Sequence, residues 1–314
     1  RVIYAQGRQV RRRKFAYLYC PDTQRDLLRH PRLRWMRGLP GRAKGAVERA
    51  ASLAPPIYYG TVHGIQSPHG EEAEGVILLL PTTASELNEQ PIEMVQKRVQ
   101  QAADLAKELG AEILGLGTFT GNIGEAGRRI AAKETIPITS GHSLTISATL
   151  WASRQACISM GMPFYSSRLI NAKCLVFGAE SPAGAVVAEL GSLAFRNMVL
   201  IGEQPDRLLE FTRDLETRYP DVKYDVGISA RDHLADADIV ITGVNPEWRR
   251  PFDITVLKPG AVVCDCARPA TFTRVDVSAR PDVLFIGSGE LEMPGPVDMG
   301  VDLGLPPKVA YACM

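Results

Sequence analysis

An α/β chain with a doubly wound parallel sheet, preceded by a smaller α/β substrate domain, is the fold class this sequence predicts. Three observations predict it. From Ala172 onward, strand-like and helix-like segments alternate, which calls for a parallel sheet with right-handed crossovers. Residues 173–190, KCLVFGAESPAGAVVAEL, read as an apolar strand, a tight glycine turn and a helix. A second apolar run, 198–202, leads into Glu203, 25 residues after Gly178. A strand, a glycine turn and a helix, with an acid at the end of the next strand, open a Rossmann-type dinucleotide-binding sheet.

The first 160 residues predict the smaller domain. Residues 8–14, RQVRRRK, have no apolar period and read as a loop or arm. Residues 15–19 read as a strand ended by Pro21-Asp22. Residues 23–37 are arginine-rich, broken by Pro31, and read as short surface helices. Two strands, 57–65 and 75–80, are joined by the polar turn Ser67-Pro68-His69-Gly70-Glu71-Glu72, a hairpin signature. Residues 91–109 keep a helical period at Ile92, Val95, Val99, Ala102, Ala103, Ala106 and Leu109, with Pro91 in the first turn and Gly110 at the end. The strand 113–117 runs into Thr118-Phe119-Thr120-Gly121. A short helix over 124–133, a brief extended piece at 136–138 and the loop Thr139-Ser140-Gly141-His142-Ser143 precede a long helix over 144–160. The two hydroxyl-rich loops stand at strand carboxyl ends, where α/β proteins place their sites. Turn and N-cap chemistry alone also accounts for most of their residues.

The dinucleotide domain is expected over 161–300. Its strands fall at 173–177, 198–202, 223–226, 239–242, 261–265 and 283–286, with helices at 183–194 and 205–217 and a helical turn closed by Leu234. The glycine spacing is Gly178-x-x-Ser181-x-x-Gly184, so a serine stands where a second glycine is usual. Gly178, Ala179, Ser181, Pro182, Ala183 and Gly184 are the expected cofactor-binding turn, because a helix N-terminus offers free N–H groups to a pyrophosphate. Glu203 is the expected acceptor for the ribose 2′-OH; the plainer alternative is a solvated turn acid. Gly243 and Asn245, after the fourth strand, would pass near the nicotinamide.

Composition bounds the rest. The chain has 314 residues, 45% hydrophobic and 23% charged, enough for two cores. No apolar run reaches membrane-span length, no signal-peptide pattern opens the chain, and six cysteines lack disulfide-framework spacing. A reduced, cytoplasmic protein is the expectation. The chain starts on Arg1 and stops at Met314, which reads as a fragment at both ends. Residues 1–50 carry 14 Lys and Arg against 3 Asp and Glu, while the remaining 264 residues carry 22 against 32. A basic end calls for nucleic acid, anionic lipid or an acidic protein, or is a solvated arm.

Few residues could carry chemistry. Cys264-Asp265-Cys266 is too close for a paired zinc site and lacks a second pair, so no metal is expected. Cys157 and Cys174 read as core, and Cys20 has no role. His30, His63, His69 and His233 show no partners in sequence. His142 sits in the Thr/Ser/Gly loop, where a hydrogen-bonded turn residue is the common reading. Cys313 follows Pro306-Pro307-Lys308, which reads as the start of a helix whose dipole would favour a thiolate.

The segments Gly115-Leu116-Gly117-Thr118-Phe119-Thr120, Thr139-Ser140-Gly141-His142-Ser143-Leu144-Thr145, Val176-Phe177-Gly178-Ala179-Glu180-Ser181-Pro182-Ala183-Gly184 and Tyr311-Ala312-Cys313 occur in this order. Together they resemble the long-chain acyl-[acyl-carrier-protein] reductases of cyanobacteria and their bacterial relatives labelled predicted amino-acid or shikimate-type dehydrogenases. The resemblance covers roughly residues 55 to 314. It implies reduction of a fatty acyl thioester to an aldehyde with NADPH, with Cys313 as nucleophile, His142 as proton donor and the loops at Thr118–Gly121 and Thr139–Ser143, Ser140 among them, supplying oxyanion donors. It makes an acyl carrier protein, or acyl-CoA, the acidic partner of the basic face around Arg25, Arg29, Arg32, Arg34 and Arg37, and it calls for no nucleic acid. A homo-oligomer is compatible with it. Residues 301–314 are then the start of a C-terminal helix returning to the cleft. Two departures stand out. The family's central glycine is Ser181 here, and the place of an arginine for the 2′-phosphate holds Glu203, which favours NAD. A dehydrogenase without a covalent step and a non-catalytic nucleotide-binding module are the alternatives.

Overall fold

The computed structural model describes residues 13–40, 45–46, 49–117, 120, 136–243, 252–267, 270–287 and 289–314. The basic run before Arg13, the helix expected over 124–133, Thr118, Phe119, Gly121 and Asn245 lie outside the described residues. The chain divides into two compact units, Arg1–Gly141 with Leu291–Met314, and His142–Glu290.

The first unit holds β1 (Arg13–Tyr19), α1 (Gln24–Leu27), a 3-10 turn at Arg34–Gly38, β2 (Ile57–Gln66), β3 (Glu72–Leu79), α2 (Ala84–Asn88), α3 (Ile92–Glu108), β4 (Ile113–Leu116) and β5 (Ile138–Thr139). Its sheet runs β2-β3-β1-β4-β5, with every neighbouring pair parallel except the β2–β3 hairpin. Strand alternation divides the side chains. Ala16, Leu18, Val76, Leu78, Leu114 and Leu116 point to one face and pack on Val95, Val99, Ala102, Ala103 and Ala106 of α3. Tyr17, Tyr19, Ile77 and Leu79 point to the other, where Leu303, Tyr311 and Cys313 cover them. Residues 301–314 therefore belong to this unit, as the cover of its second sheet face. Full burial of each such side chain is worth about 1.5–3 kcal/mol.

That closing segment corrects the helix expected there. It holds β13 (Val309–Tyr311), paired with β12 (Glu290–Glu292). The Val309 N–H donates to the Pro306 carbonyl at 3.1 Å, and Lys308 has φ 64°. A proline followed by a residue of positive φ builds a type II turn, which cannot lead into a helix. The helix-dipole support expected for Cys313 is absent with it.

The second unit holds α4 (His142–Ser159), β6 (Ile170–Phe177), α5 (Pro182–Gly191), β7 (Phe195–Ile201), α6 (Pro205–Arg218), β8 (Lys223–Gly227), α7 (Arg231–Leu234), β9 (Ile239–Thr242), β10 (Val262–Asp265), α8 (Arg274–Ser278) and β11 (Leu284–Gly287). The strand order is β11-β10-β9-β6-β7-β8, all parallel. The chain steps outward from β6 to β8, returns to β9 and steps outward the other way, which is the doubly wound Rossmann order. Cys174, Val176, Met198, Leu200, Ile239, Ile241 and Cys264 face Ile146, Leu150, Val187, Ala188, Leu208 and Leu215 of α4, α5 and α6. Leu175, Phe177, Val199, Ile201, Val240 and Val263 face a second core with Leu234, Ile254 and Phe272. The division falls at 141/142 rather than at 160 because α4 buries Ile146, Leu150 and Cys157 against this second sheet. No helix among the described residues is long and apolar enough to cross a membrane.

Candidate functional site

In the first unit, Cys313 sits over the sheet face shared by Tyr17, Gly115 and Thr139. Tyr17 pairs with Gly115 and Gly115 with Thr139, so the three lie side by side on parallel strands. Leucine at 114 and 116 fills the α3 face of β4, while Gly115 and Gly117 leave the opposite face bare. A Cβ at Gly115 would come 3.3 Å from the Cys313 carbonyl oxygen, and one at Gly117 would come 3.1 Å from the Tyr17 hydroxyl. Tyr17 Oη lies 3.4 Å from Cys313 Sγ. Both residues are buried, Cys313 with 7% exposure. Gly141 closes the other side at φ 69°, where a Cβ would stand 2.7 Å from Cys313 Cβ. Gly115 and Gly141 thus make room for Cys313, and Gly117 makes room for the Tyr17 hydroxyl.

The loop before α4 is held by the Gly141 N–H, which donates to Thr139 Oγ1 at 3.2 Å. Ser140 is half-buried beside Gly141, so it stands one residue from the wall of the Cys313 site. His142 is half-buried and opens α4. Burial alone lowers its pKa below the usual histidine value, which favours the neutral ring. Four of the other cysteines, Cys20, Cys157, Cys174 and Cys264, are poor nucleophiles by environment. Burial pushes Cys157 and Cys264 up to about 12 and raises Cys20 and Cys174. Cys264 also sits 2.9 Å from Ser153 Oγ. Among the described residues no cluster of three His, Cys, Asp or Glu could hold a metal ion.

In the second unit, Gly178 follows β6 at φ 69°. Gly184 lies so close to the turn that a Cβ there would overlap the Gly178 carbonyl. Ser181 replaces the central glycine with a working cap. Its hydroxyl donates to the Gly178 carbonyl at 2.7 Å and accepts from the Gly184 N–H at 3.0 Å. Pro182 at the first helical position has no N–H to offer. The Ala179 N–H is spent on the Ile201 carbonyl at 3.1 Å. The turn is a tight strand-to-helix junction in which several backbone N–H groups are already engaged.

Glu180, which sequence reasoning passed over, bridges this turn to the end of β7. Its Oε1 accepts from the Glu203 N–H at 3.2 Å, and its carboxylate lies against Gly202, where any Cβ would land on it. Glu180 Oε2 is buried without a partner, as is Thr242 Oγ1 at the end of β9. Val176 pairs with Ile241, so Gly178 and Gly243 end neighbouring strands at the point where the strand order reverses. The Thr242 oxygen stands at that switch point and the Glu180 oxygen beside the end of β7; orphaned polar oxygens at strand ends are what a ligand-binding crevice would satisfy. Glu203 itself is exposed at the rim.

No family model matches the chain. Over 261 residues, 75% of its length, it is 26% identical to the aminotransferase PigE of Serratia sp. (strain ATCC 39006). The match spans 27% of that protein, so the chain corresponds to about a quarter of this curated relative. Among solved structures it is similar to ornithine transcarbamoylase from Giardia lamblia (10% identity, 88% of this chain and 80% of that one, TM-score 0.47). It is also similar to shikimate 5-dehydrogenase from Listeria monocytogenes in complex with shikimate and NAD (10%, 90% and 88%, TM-score 0.41). A third is the ligand-free 5-ketofructose reductase of Gluconobacter sp. strain CHM43 (11%, 88% and 87%, TM-score 0.39). These are likenesses of architecture, and the chain's chemistry rests on its own residues.

Proposed function

We propose that the chain reduces a fatty acyl thioester, carried on an acyl carrier protein or coenzyme A, to a fatty aldehyde, and that it uses NAD(H) in preference to NADP(H). The observation that carries this reading is the Cys313 site: a thiol at hydrogen-bond distance from a buried tyrosine, on a glycine floor above three parallel strands. Cysteine suits the chemistry because its acyl-enzyme remains a thioester, an activated carbonyl. The Cys313 sulfur attacks the carbonyl carbon and the carrier thiol departs. Donors in the Ser140 loop would face the developing oxyanion. A bound nicotinamide supplies the hydride. The resulting hemithioacetal breaks its C–S bond, releases aldehyde and returns the cysteine.

The cofactor would be held by the Gly178–Gly184 turn and Gly243. Glu180 and Glu203 put two carboxylates at the end of β7, where acceptors suit a free 2′-OH and repel a 2′-phosphate. NADH is therefore expected to bind at least tenfold more tightly than NADPH in a fluorescence titration. Tighter NADPH binding would remove this preference.

Arg25, Arg32, Arg34 and Arg37 are exposed and form the acidic-partner face of the reading. Arg29 is instead committed to Asp26 at 3.1 Å and Asp302 at 2.8 Å. Reversing the four exposed arginines should raise KM for the carrier-bound substrate several-fold at low salt and leave NADH affinity unchanged. An unchanged KM would free this face of the role.

The deep burial of Cys313 favours a second reading, a dehydrogenase in which the cysteine only packs. Cys313→Ala separates the two. It abolishes aldehyde formation in the first and leaves hydride transfer intact in the second. Mass spectrometry after incubation with palmitoyl-CoA and no cofactor should find an acyl adduct on Cys313; its absence would sink the first reading.

A further inference from the structure

We infer that Tyr17 is the hydrogen-bond donor that holds Cys313 in its reactive, anionic form, so that this tyrosine belongs to the catalytic machinery. The inference rests on the nucleophilic role proposed for Cys313, but its geometry stands apart. The two residues are 296 positions apart in sequence, and Tyr17 Oη comes within 3.4 Å of Sγ. The contact is built rather than incidental. A Cβ at Gly115 would lie 3.4 Å from Tyr17 Cδ2, and one at Gly117 would press on the hydroxyl itself at 3.1 Å. Gly115 of β4 and Gly117 just after it therefore let the ring lie across the strand with its hydroxyl at the sulfur. Among the described hydrophobic residues clustered with Cys313, the titratable ones are Tyr17, Tyr19 and Tyr311, all uncharged in their protonated forms. Tyr19 stacks on Tyr311 at 6.2 Å and is held further toward its neutral form by burial.

In so apolar a cluster an isolated thiolate is costly, and a hydroxyl donor is what offsets that cost. A hydrogen bond favours the charged acceptor over the neutral one. Tyr17 would therefore act twice, keeping its proton both times. Before acyl transfer it stabilises the sulfur whose electron pair forms the new C–S bond. The proton that left Cys313 is balanced by the one the departing carrier thiolate takes up. After reduction the C–S bond of the hemithioacetal breaks, the oxygen electrons form the aldehyde C=O, and the pair returned to sulfur is met by the same hydroxyl.

The test is alkylation of Cys313 by iodoacetamide between pH 6 and 9, followed by peptide mass spectrometry, in the wild type and in Tyr17→Phe. Loss of the donor should slow alkylation about tenfold at pH 7 and move the half-maximal pH upward by about one unit, with rates converging at high pH. Tyr17→Met repeats the measurement in case Tyr17→Phe is poorly folded. A profile unchanged in shape, or a reaction faster at every pH, as a merely loosened core would give, overturns the inference. The same samples are incubated with palmitoyl-CoA. If the wild type gives no acyl adduct while the alkylation profile still shifts, the acyl-enzyme reading fails and Tyr17 remains the thiol's partner.

Discussion

At the scale of single residues, environment decides which of several similar side chains can do chemistry. Six cysteines are present, and burial raises the pKa of four, Cys20, Cys157, Cys174 and Cys264. Two histidines, His30 buried and His142 half-buried, carry a pH signature. His142 is shifted down by burial, and His30 is shifted down mainly by burial, with Arg32 adding to it. A histidine whose folded pKa lies below its unfolded value takes up a proton more readily when unfolded. Its contribution is therefore complete above the ordinary value of 6.5 and is lost as pH falls from there toward the folded value. Thermal unfolding midpoints should fall between pH 7.5 and pH 5, and His142→Gln should flatten part of that slope. A slope unchanged in the variant would take His142 out of the account. Sequence reasoning named Cys313, His142 and Ser140; of the loop that holds the last two it is Gly141 that lies against Cys313, while Tyr17 and Glu180 went unread. For Tyr17 the one available signal was the Gly-Leu-Gly alternation at 115–117, running off the end of β4, whose bare face must admit something large.

At the scale of elements, close approach governs tolerance to change. Gly184 touches the Gly178 carbonyl and Gly141 touches Cys313, whereas a Cβ at Gly38 would meet nothing within 4 Å. Alanine at 184 overpacks the strand–helix junction and should cost about 1–3 kcal/mol, with weakened NADH binding. Alanine at 141 must also adopt a left-handed backbone and should cost about 2–4 kcal/mol. Gly38→Ala should stay within about 0.5 kcal/mol. Urea denaturation of the three variants measures all of this, and equal effects would contradict the packing account. Periodicity located most elements because strands and amphipathic helices write their burial into local sequence. The exceptions are instructive. Short α2 and α8 each open on a capping box, Thr83 with Glu86 and Thr273 with Asp276, a spacing present in the sequence and unread. At 306–309 two prolines fit a helix start and a turn equally well from sequence, and the positive φ of Lys308 settles it as a turn.

At the scale of the whole molecule, the two units differ in how the chain builds them. The second is a single stretch, His142–Glu290, whereas the first needs Leu291–Met314 to return to it. Deleting that return uncovers Tyr17, Tyr19, Ile77 and Leu79 on one sheet face. A chain ended at Glu290 should therefore lose the first unit's cooperative transition in calorimetry and keep the second's. Limited proteolysis should then leave a core beginning near His142. Two transitions surviving the deletion would mean the returning segment contributes little.

The sequence by itself determined the α/β class, the alternation of the second sheet and the glycine turn after its first strand. Each of these follows from spacing within a few turns or strand residues, where backbone sterics and side-chain period act locally. The tertiary structure decided which distant residues share a face. It made the last segment a strand and brought Cys313 to Tyr17 across nearly the whole chain. It also folded Glu180 over Gly202 and moved the division between units to the start of α4. These outcomes depend on strand register and on which apolar face is left to cover, and no local pattern encodes either.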